Sequence, residues 1–107
     1  MRHDLQHCIR RCQHCHETCL RTAMTHCLDA GGDHVEKDHF ALMISCAEIC
    51  SVSARLMLMG SRWHPALCAV CAEVCSACAT DCERLGGMAE CVEACRACEE
   101  SCRLMAA

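Results

Sequence analysis

The stretch Cys68-Ala-Val-Cys71-Ala-Glu-Val-Cys75-Ser-Ala-Cys78-Ala-Thr-Asp-Cys82 places five cysteines at gaps of three, four, three and four residues. Alternating gaps of three and four mark one face of an α-helix. The stretch therefore reads as a helix with a stripe of thiols where leucines normally sit. The same spacing recurs in Cys8, Cys12, Cys15 and Cys19, in Cys91, Cys95, Cys98 and Cys102, and in the shorter Cys46 and Cys50. Sixteen of the 107 residues are cysteine. The pair C-x-x-x-C occurs seven times and uses all of them except Cys27 and Cys68.

Three breaks divide the chain: Gly31-Gly32-Asp33, Gly60-Ser61-Arg62-Trp63-His64-Pro65 and Gly86-Gly87. Glycine and proline are the strongest local punctuation in a sequence. Four segments remain, roughly 3–30, 33–59, 64–85 and 88–105, and all are rich in residues that favour helix. Asp33 is placed to cap the second helix, with Glu36 completing a capping box. Pro65 suits the first turn of the third helix. Short connections make successive helices antiparallel neighbours. The expected fold is all-α: an antiparallel up-down-up-down four-helix bundle with a cysteine-lined core, spanning residues 1–107 as one domain.

Composition supports a core that depends on sulfur. The apolar fraction is 53%, and with the cysteines set aside it falls to about 38%, below the ~45–50% of a typical globular chain. Phe40 and Trp63 are the only aromatic residues. A net charge of −4, with no basic patch and few stacking surfaces, argues against nucleic acid. The uninterrupted apolar stretches are too short to cross a bilayer, so no membrane association is expected. The opening Met1-Arg2-His3-Asp4-Leu5-Gln6-His7 has no apolar core of a signal peptide. A cytoplasmic location is the resulting expectation. There thiols stay reduced, and cysteine-rich chains bind metals or catalyse more often than they form disulfides.

Residues four apart on a helix have β-carbons about 5–6 Å apart, whereas a disulfide needs them near 3.8 Å. The spacing disfavours disulfides within a helix and leaves room for an ion between two sulfurs. Soft thiolates select Cu(I), zinc and iron–sulfur clusters. Zinc is usually bound by C-x-x-C in a loop, and here that spacing occurs only inside helices. The ferredoxin run of cysteines closed by proline is absent. Cu(I) accepts low-coordinate thiolate sites that share sulfurs, and thioethers are also soft ligands. A zinc or cadmium sequestration protein remains the alternative among metal binders. A disulfide-linked helical bundle is the alternative from another class, and a redox enzyme using Cys12-Gln13-His14-Cys15 is a weaker one. No nucleophile–base set, nucleotide loop or paired carboxylate site argues for an enzyme.

The expected metal ligands are Cys8, Cys12, Cys15, Cys19, Cys27, Cys46, Cys50, Cys68, Cys71, Cys75, Cys78, Cys82, Cys91, Cys95, Cys98 and Cys102, with His39 and Met43 on the same face of the second helix. Continuing the stripes past their cysteines gives His26, with Cys27 near the edge of its stripe. The other stripes extend to His64, Met57, Met88 and Met105. His3, His7 and His14 share a different face and read as surface histidines. Leu42, Ile49, Val52 and Leu56 lie off the cysteine stripe and make the second helix apolar around much of its girth, which favours an oligomer contact.

The runs Cys8-x₃-Cys12-x₂-Cys15-x₃-Cys19, Cys46-Ala-Glu-Ile-Cys50, Cys68-Ala-Val-Cys71-Ala-Glu-Val-Cys75-Ser-Ala-Cys78 and the ending Cys102-Arg-Leu-Met-Ala-Ala cover nearly the whole chain. In them the sequence resembles the bacterial four-helix-bundle copper storage proteins, in their cytosolic branch without a signal peptide. The resemblance implies a homotetramer of bundles, each filled with multiple Cu(I) ions held mainly by cysteine. It implies storage or detoxification rather than catalysis. Copper chaperones or copper enzymes are the expected recipients. The chain departs from the family pattern at position 39, where His39 stands in place of an expected cysteine.

Overall fold

The computed structural model describes residues 2–107; Met1 and the side chains of Arg2 and His3 lie outside the described residues. The surface reading of His3 therefore falls outside them as well. Four long helices carry the fold: α1 (Arg2–Thr22), α2 (Lys37–Leu58), α3 (His64–Leu85) and α4 (Ala89–Ala106). α1 runs on through a π-helical segment, Ala23–Cys27, into a last turn, Leu28–Ala30. A 3₁₀ turn, Gly32–Val35, then leads into α2. Each long helix packs against two neighbours, in the order α1–α2–α3–α4 and back to α1, which is the square of an up-down-up-down bundle. The body measures 42 × 18 × 17 Å, so it is a rod.

The helix ends agree with the sequence, with one shift. Gly31 and Gly86 leave α1 and α3 with positive φ of 66° and 78°, which glycine alone adopts without strain. Pro65 sits in the first turn of α3. Asp33, however, does not cap α2. It falls inside the 3₁₀ turn, and α2 starts at Lys37, capped by Glu36, whose side chain accepts from the Asp38 amide at 3.2 Å. The tight turn uses up the residues that would have formed the first turn of the helix.

The interior is narrow because its residues are small. All sixteen cysteines are buried, joined by Ala23, Ala47, Ala54, Ala72, Ala79 and Ala94. Such side chains let the helix axes approach closely, which leucine would prevent. Met43 and Met57 are the largest fully buried side chains. Around this core, Leu42, Ile44, Ile49, Val74 and Val92 are partly buried. Arg11 of α1 reaches across to α4, donating to the Ala97 carbonyl at 3.1 Å and to the Ser101 hydroxyl at 2.9 Å. Arg96 of α4 donates to Glu83 and Thr80 of α3 at 2.8 and 3.2 Å.

Whole helices are more apolar than their uninterrupted runs suggest. The uninterrupted apolar runs are short, but α2 and α3 are each 22 residues long, with mean hydropathies of 1.6 and 1.3 over an 18-residue window. By length and composition alone both could cross a membrane. Much of their apolar character is cysteine, methionine and alanine turned into the shared core.

Because the alanines set the spacing between helices, enlarging one should strain the bundle. Replacing the fully buried Ala79 by leucine should destabilise the apo protein by about 1–3 kcal/mol. Thermal unfolding followed by circular dichroism under reducing conditions should show a Tm several degrees lower. An unchanged Tm would mean the interior has spare volume.

Candidate metal centre

The four stripes meet as one column of sulfur. On single helices, Cys15 and Cys19 lie 3.8 Å apart between Sγ atoms, Cys71 and Cys75 3.9 Å, Cys78 and Cys82 4.0 Å, and Cys98 and Cys102 3.9 Å. Between helices the sulfurs come closer: Cys19 to Cys91 is 3.4 Å, and Cys12 to Cys102, Cys19 to Cys95 and Cys50 to Cys75 are each 3.5 Å. All sixteen are free thiols. These separations exceed a sulfur–sulfur bond and match the span that an ion bridges between two thiolates.

The sulfurs form overlapping groups whose members lie within 4.8 Å of one another. Cys12, Cys71, Cys98 and Cys102 make one, and Cys15, Cys50, Cys75 and Cys98 the next. Cys15, Cys19, Cys46 and Cys95 come after them, then Cys19, Cys78, Cys91 and Cys95, with Cys8, Cys68 and Cys102 as a trio at the far end. Cys15, Cys19, Cys95, Cys98 and Cys102 each belong to two groups. The groups thus overlap in a continuous chain. Separate closed tetrahedra would each need their own four ligands, while low-coordinate soft ions can share bridging sulfurs.

Both methionines on the α2 stripe join the column. The Met43 thioether lies 3.4 Å from Cys82, 3.6 Å from Cys78 and 3.9 Å from Cys91. Met57, at the opposite end of α2, is 3.9 Å from Cys68. Met88 is buried, and Met105 is half-buried at the margin of the core.

At the α1 end the structure corrects the periodicity. On a regular helix His26 continues the stripe and Cys27 falls to its edge. The π segment Ala23–Cys27 takes up one extra residue, which rotates the residues at its C-terminal end about the helix axis. Cys27 is therefore fully buried and His26 is exposed. Cys27 faces His39, with Sγ 3.7 Å from Nε2. His39 is itself buried, and its Nδ1 lies 2.7 Å from Oδ2 of Asp81 on α3. Arg84 holds the other carboxylate oxygen of Asp81 at 2.9 Å. Beyond His39 come the rings of His34 and His26, edge-on, with centroids 6.1 and 5.0 Å apart in succession. His34 and Asp81 carry no stripe signal in the sequence; the turns that fold over the bundle end bring them in. His64, by contrast, bonds through Nδ1 with the Ser61 carbonyl at 2.9 Å and closes its own loop. His7 and His14 line an outer cavity of about 270 Å³ with Arg10, Arg11, Ala94 and Ala97, away from the sulfur column.

Electrostatics in the column are set by crowding. Cys19 is pushed well above the ordinary thiol value, first by Cys15 and then by Cys46, and Cys95 likewise by Cys15 and Cys19. Cys98 is pulled down by its contacts with Cys102, Cys12, Cys15 and Cys50. Cys27 is raised by burial, reinforced by Cys91 and Cys78. For Cys68 the contact with Cys102 pulls down, but Cys8 and burial outweigh it and push the thiol up to about 12. From Cys8 to Cys19 and from Cys91 to Cys102 successive thiols alternate between pulled down and pushed up, whereas Cys75, Cys78 and Cys82 of α3 are all pushed up. Partial burial alone would raise the Asp81 carboxyl, yet hydrogen bonds from Arg84 and His39 hold it below its ordinary range.

A four-helix bundle with an unbroken internal chain of thiols is, by fold and site, a container for soft metal ions. The family model for the copper storage proteins matches residues 1–107, and the chain belongs to that family. It resembles the crystal structure of the Nmul_A1745 protein from Nitrosospira multiformis at 59% identity and a TM-score of 0.97, covering 99% of this chain and 97% of that one. It resembles the Cu(I)-bound copper storage protein BsCsp3 at 33% identity and a TM-score of 0.89, covering 97% and 99%. Over 75 residues it is also 33% identical to the cysteine-rich protein YhjQ of Bacillus subtilis, a match spanning 70% of this chain and 62% of that protein's length.

Raised thiols give the apo protein a signed pH dependence. The unfolded chain loses thiol protons near 9.0, while folded Cys68 keeps its proton to about 12. That contribution is complete below 9.0 and is lost as pH rises towards 12. Cys27 acts in the same direction. Apo stability, measured anaerobically by chemical denaturation, should fall between about pH 9 and pH 11; a rise over that window would contradict the assignment.

Proposed function

We propose that this protein stores copper as Cu(I), in multiple ions per chain, along the sulfur column. The observation that carries this reading is the sharing of Cys15, Cys19, Cys95, Cys98 and Cys102 between adjacent sulfur groups. Bridging sulfurs make a continuous array for many low-coordinate ions. The ligands are the sixteen cysteines, with Met43 as a thioether donor against Cys78, Cys82 and Cys91 and His39 as an imidazole donor beside Cys27. Each ion displaces thiol protons, so loading releases acid and ties the helices together.

The role is storage rather than catalysis, as membership of the copper storage family implies. The 107 residues act as one metal-binding domain. The reading places the protein in the cytoplasm, supported by its sixteen free cysteines, which need a reducing compartment to stay metal-competent. It places four copies in a homotetramer, supported by Leu42, Ile49, Val52 and Leu56, which are only half-buried within one chain. Copper chaperones or copper enzymes are the recipients; neither nucleic acid nor a membrane is a partner.

Anaerobic Cu(I) titration against a chelator of known affinity tests the reading. Sixteen thiolates in shared low-coordinate sites should take up more than about ten ions per chain. Saturation at one or two ions, or preference for zinc in separate tetrahedral sites, would contradict it.

His39 stands at the end of the column, and one ligand among many should matter more to passage than to total content. His39→Ala should slow Cu(I) uptake from the chelator several-fold while lowering capacity by about one ion at most. Stopped-flow loading monitored by the thiolate–copper absorbance reads both. Equal uptake rates for the two proteins would refute the assignment.

A further inference from the structure

The sulfur column accounts for the thiols and thioethers, but not for a polar chain that reaches it from the surface. Arg84, exposed on α3, holds Oδ1 of Asp81 at 2.9 Å, and Oδ2 of Asp81 lies 2.7 Å from Nδ1 of the buried His39. The opposite nitrogen of that ring, Nε2, lies 3.7 Å from Cys27 Sγ. Asp81 is half-buried, and its side chain is only 23% exposed. It points across the helix boundary at an imidazole that offers no other nitrogen to it.

We infer that Asp81 is a positioning residue for metal capture, fixing the His39 tautomer so that the unprotonated Nε2 faces Cys27 and the pair presents a mixed nitrogen–sulfur site at the head of the column. This deepens the storage reading and rests on it. A carboxylate can only accept a hydrogen bond. Nδ1 of His39 must therefore carry the proton, and in a neutral ring Nε2 then holds the lone pair. An imidazole aimed at a metal position and held from behind by a carboxylate is the arrangement that orients nitrogen ligands generally. Without the carboxylate, the ring is free to carry its proton on Nε2. An N–H would then point at the place where an ion must sit between nitrogen and sulfur. Arg84 steadies Asp81 from the solvent side, so the chain runs from surface cation to carboxylate to imidazole to thiol.

The site sits where an incoming ion would need one. Cys27 lies at the margin of the column, its inward position set by the π turn. Met43, on the α2 stripe one turn further in than His39, lies within 4 Å of Cys78, Cys82 and Cys91. A soft ion held by imidazole and a single thiol is held less firmly than one bridged among several thiolates. It can therefore pass inward.

Nitrogen-15 NMR of the apo wild-type chain, at a pH where the ring is neutral, reads the tautomer directly. The expected spectrum has the His39 proton on Nδ1 and none on Nε2; the reverse overturns the inference, with no variant needed. Asp81→Asn, which keeps size and removes the obligate acceptor, should move the proton to Nε2. It should also slow Cu(I) uptake about tenfold, the low end of the cost of losing such a carboxylate partner. A purely structural Asp81 would change thermal stability and leave tautomer and rate as in wild type, which overturns the inference. Adding Asp81→Asn to His39→Ala should cause no further slowing; additive slowing would mean that Asp81 acts by some other route. Failure of wild-type protein to load copper would sink the storage reading, while the tautomer spectrum tests the positioning role separately.

Discussion

Contact between sulfur atoms at 3.4–4.0 Å, repeated from one end of the bundle to the other, is the constraint on which the rest of the structure depends. Cysteine is small, so a helix face made of cysteine and alanine can approach its neighbours closely. That closeness brings sulfurs from different helices together as tightly as those on one helix. It also leaves little apolar volume for an ordinary core. Leucine, isoleucine and valine are displaced to the flanks, where they are half-buried. The apo bundle is consequently held by thin packing, by arginine links between neighbouring helices and by weak thiol–thiol contacts. A chain organised in this way gains its full set of strong interactions only when ions replace the protons.

Crowding also decides the electrostatics. Thiols this close cannot all ionise, because adjacent thiolates in a dry interior repel one another. They divide into sulfurs that receive S–H groups, such as Cys91, which accepts from Cys82, and sulfurs whose proton is held in place, such as Cys19 and Cys95. A monovalent cation removes that conflict locally by taking the proton's place between two sulfurs. Its sulfurs are shared with the next group, so one bound ion prepares the neighbouring position. The two ends of the column are chemically different. One closes with a trio, Cys8, Cys68 and Cys102, backed by Met57. The other carries Cys27, His39 and the edge-on rings of His34 and His26.

Most of this architecture was legible in the sequence. The three-and-four spacing of cysteine sets the inward faces of all four helices, and the glycine breaks set their ends. Met43 and His39 were readable because they continue the α2 stripe. The parts that were not legible depend on departures from regular geometry. The π segment at Ala23–Cys27 inverts the roles of His26 and Cys27, and no residue in it announces the extra turn width. Glu36, and not Asp33, caps α2 because a 3₁₀ turn intervenes. Asp81, between Thr80 and Cys82, carries no stripe signal; its meaning lies in a contact with His39, on a different helix. Periodicity reports which way a side chain faces, but it does not report which neighbour it meets.

The central claim is that one continuous array of shared sulfurs holds the cargo. Copper K-edge X-ray absorption on the fully loaded chain tests it most directly. The account predicts sulfur as the dominant nearest neighbour together with copper–copper scattering at short range, because bridging thiolates draw adjacent ions together. A first shell of nitrogen and oxygen, or sulfur ligation with every copper isolated from the next, would contradict it.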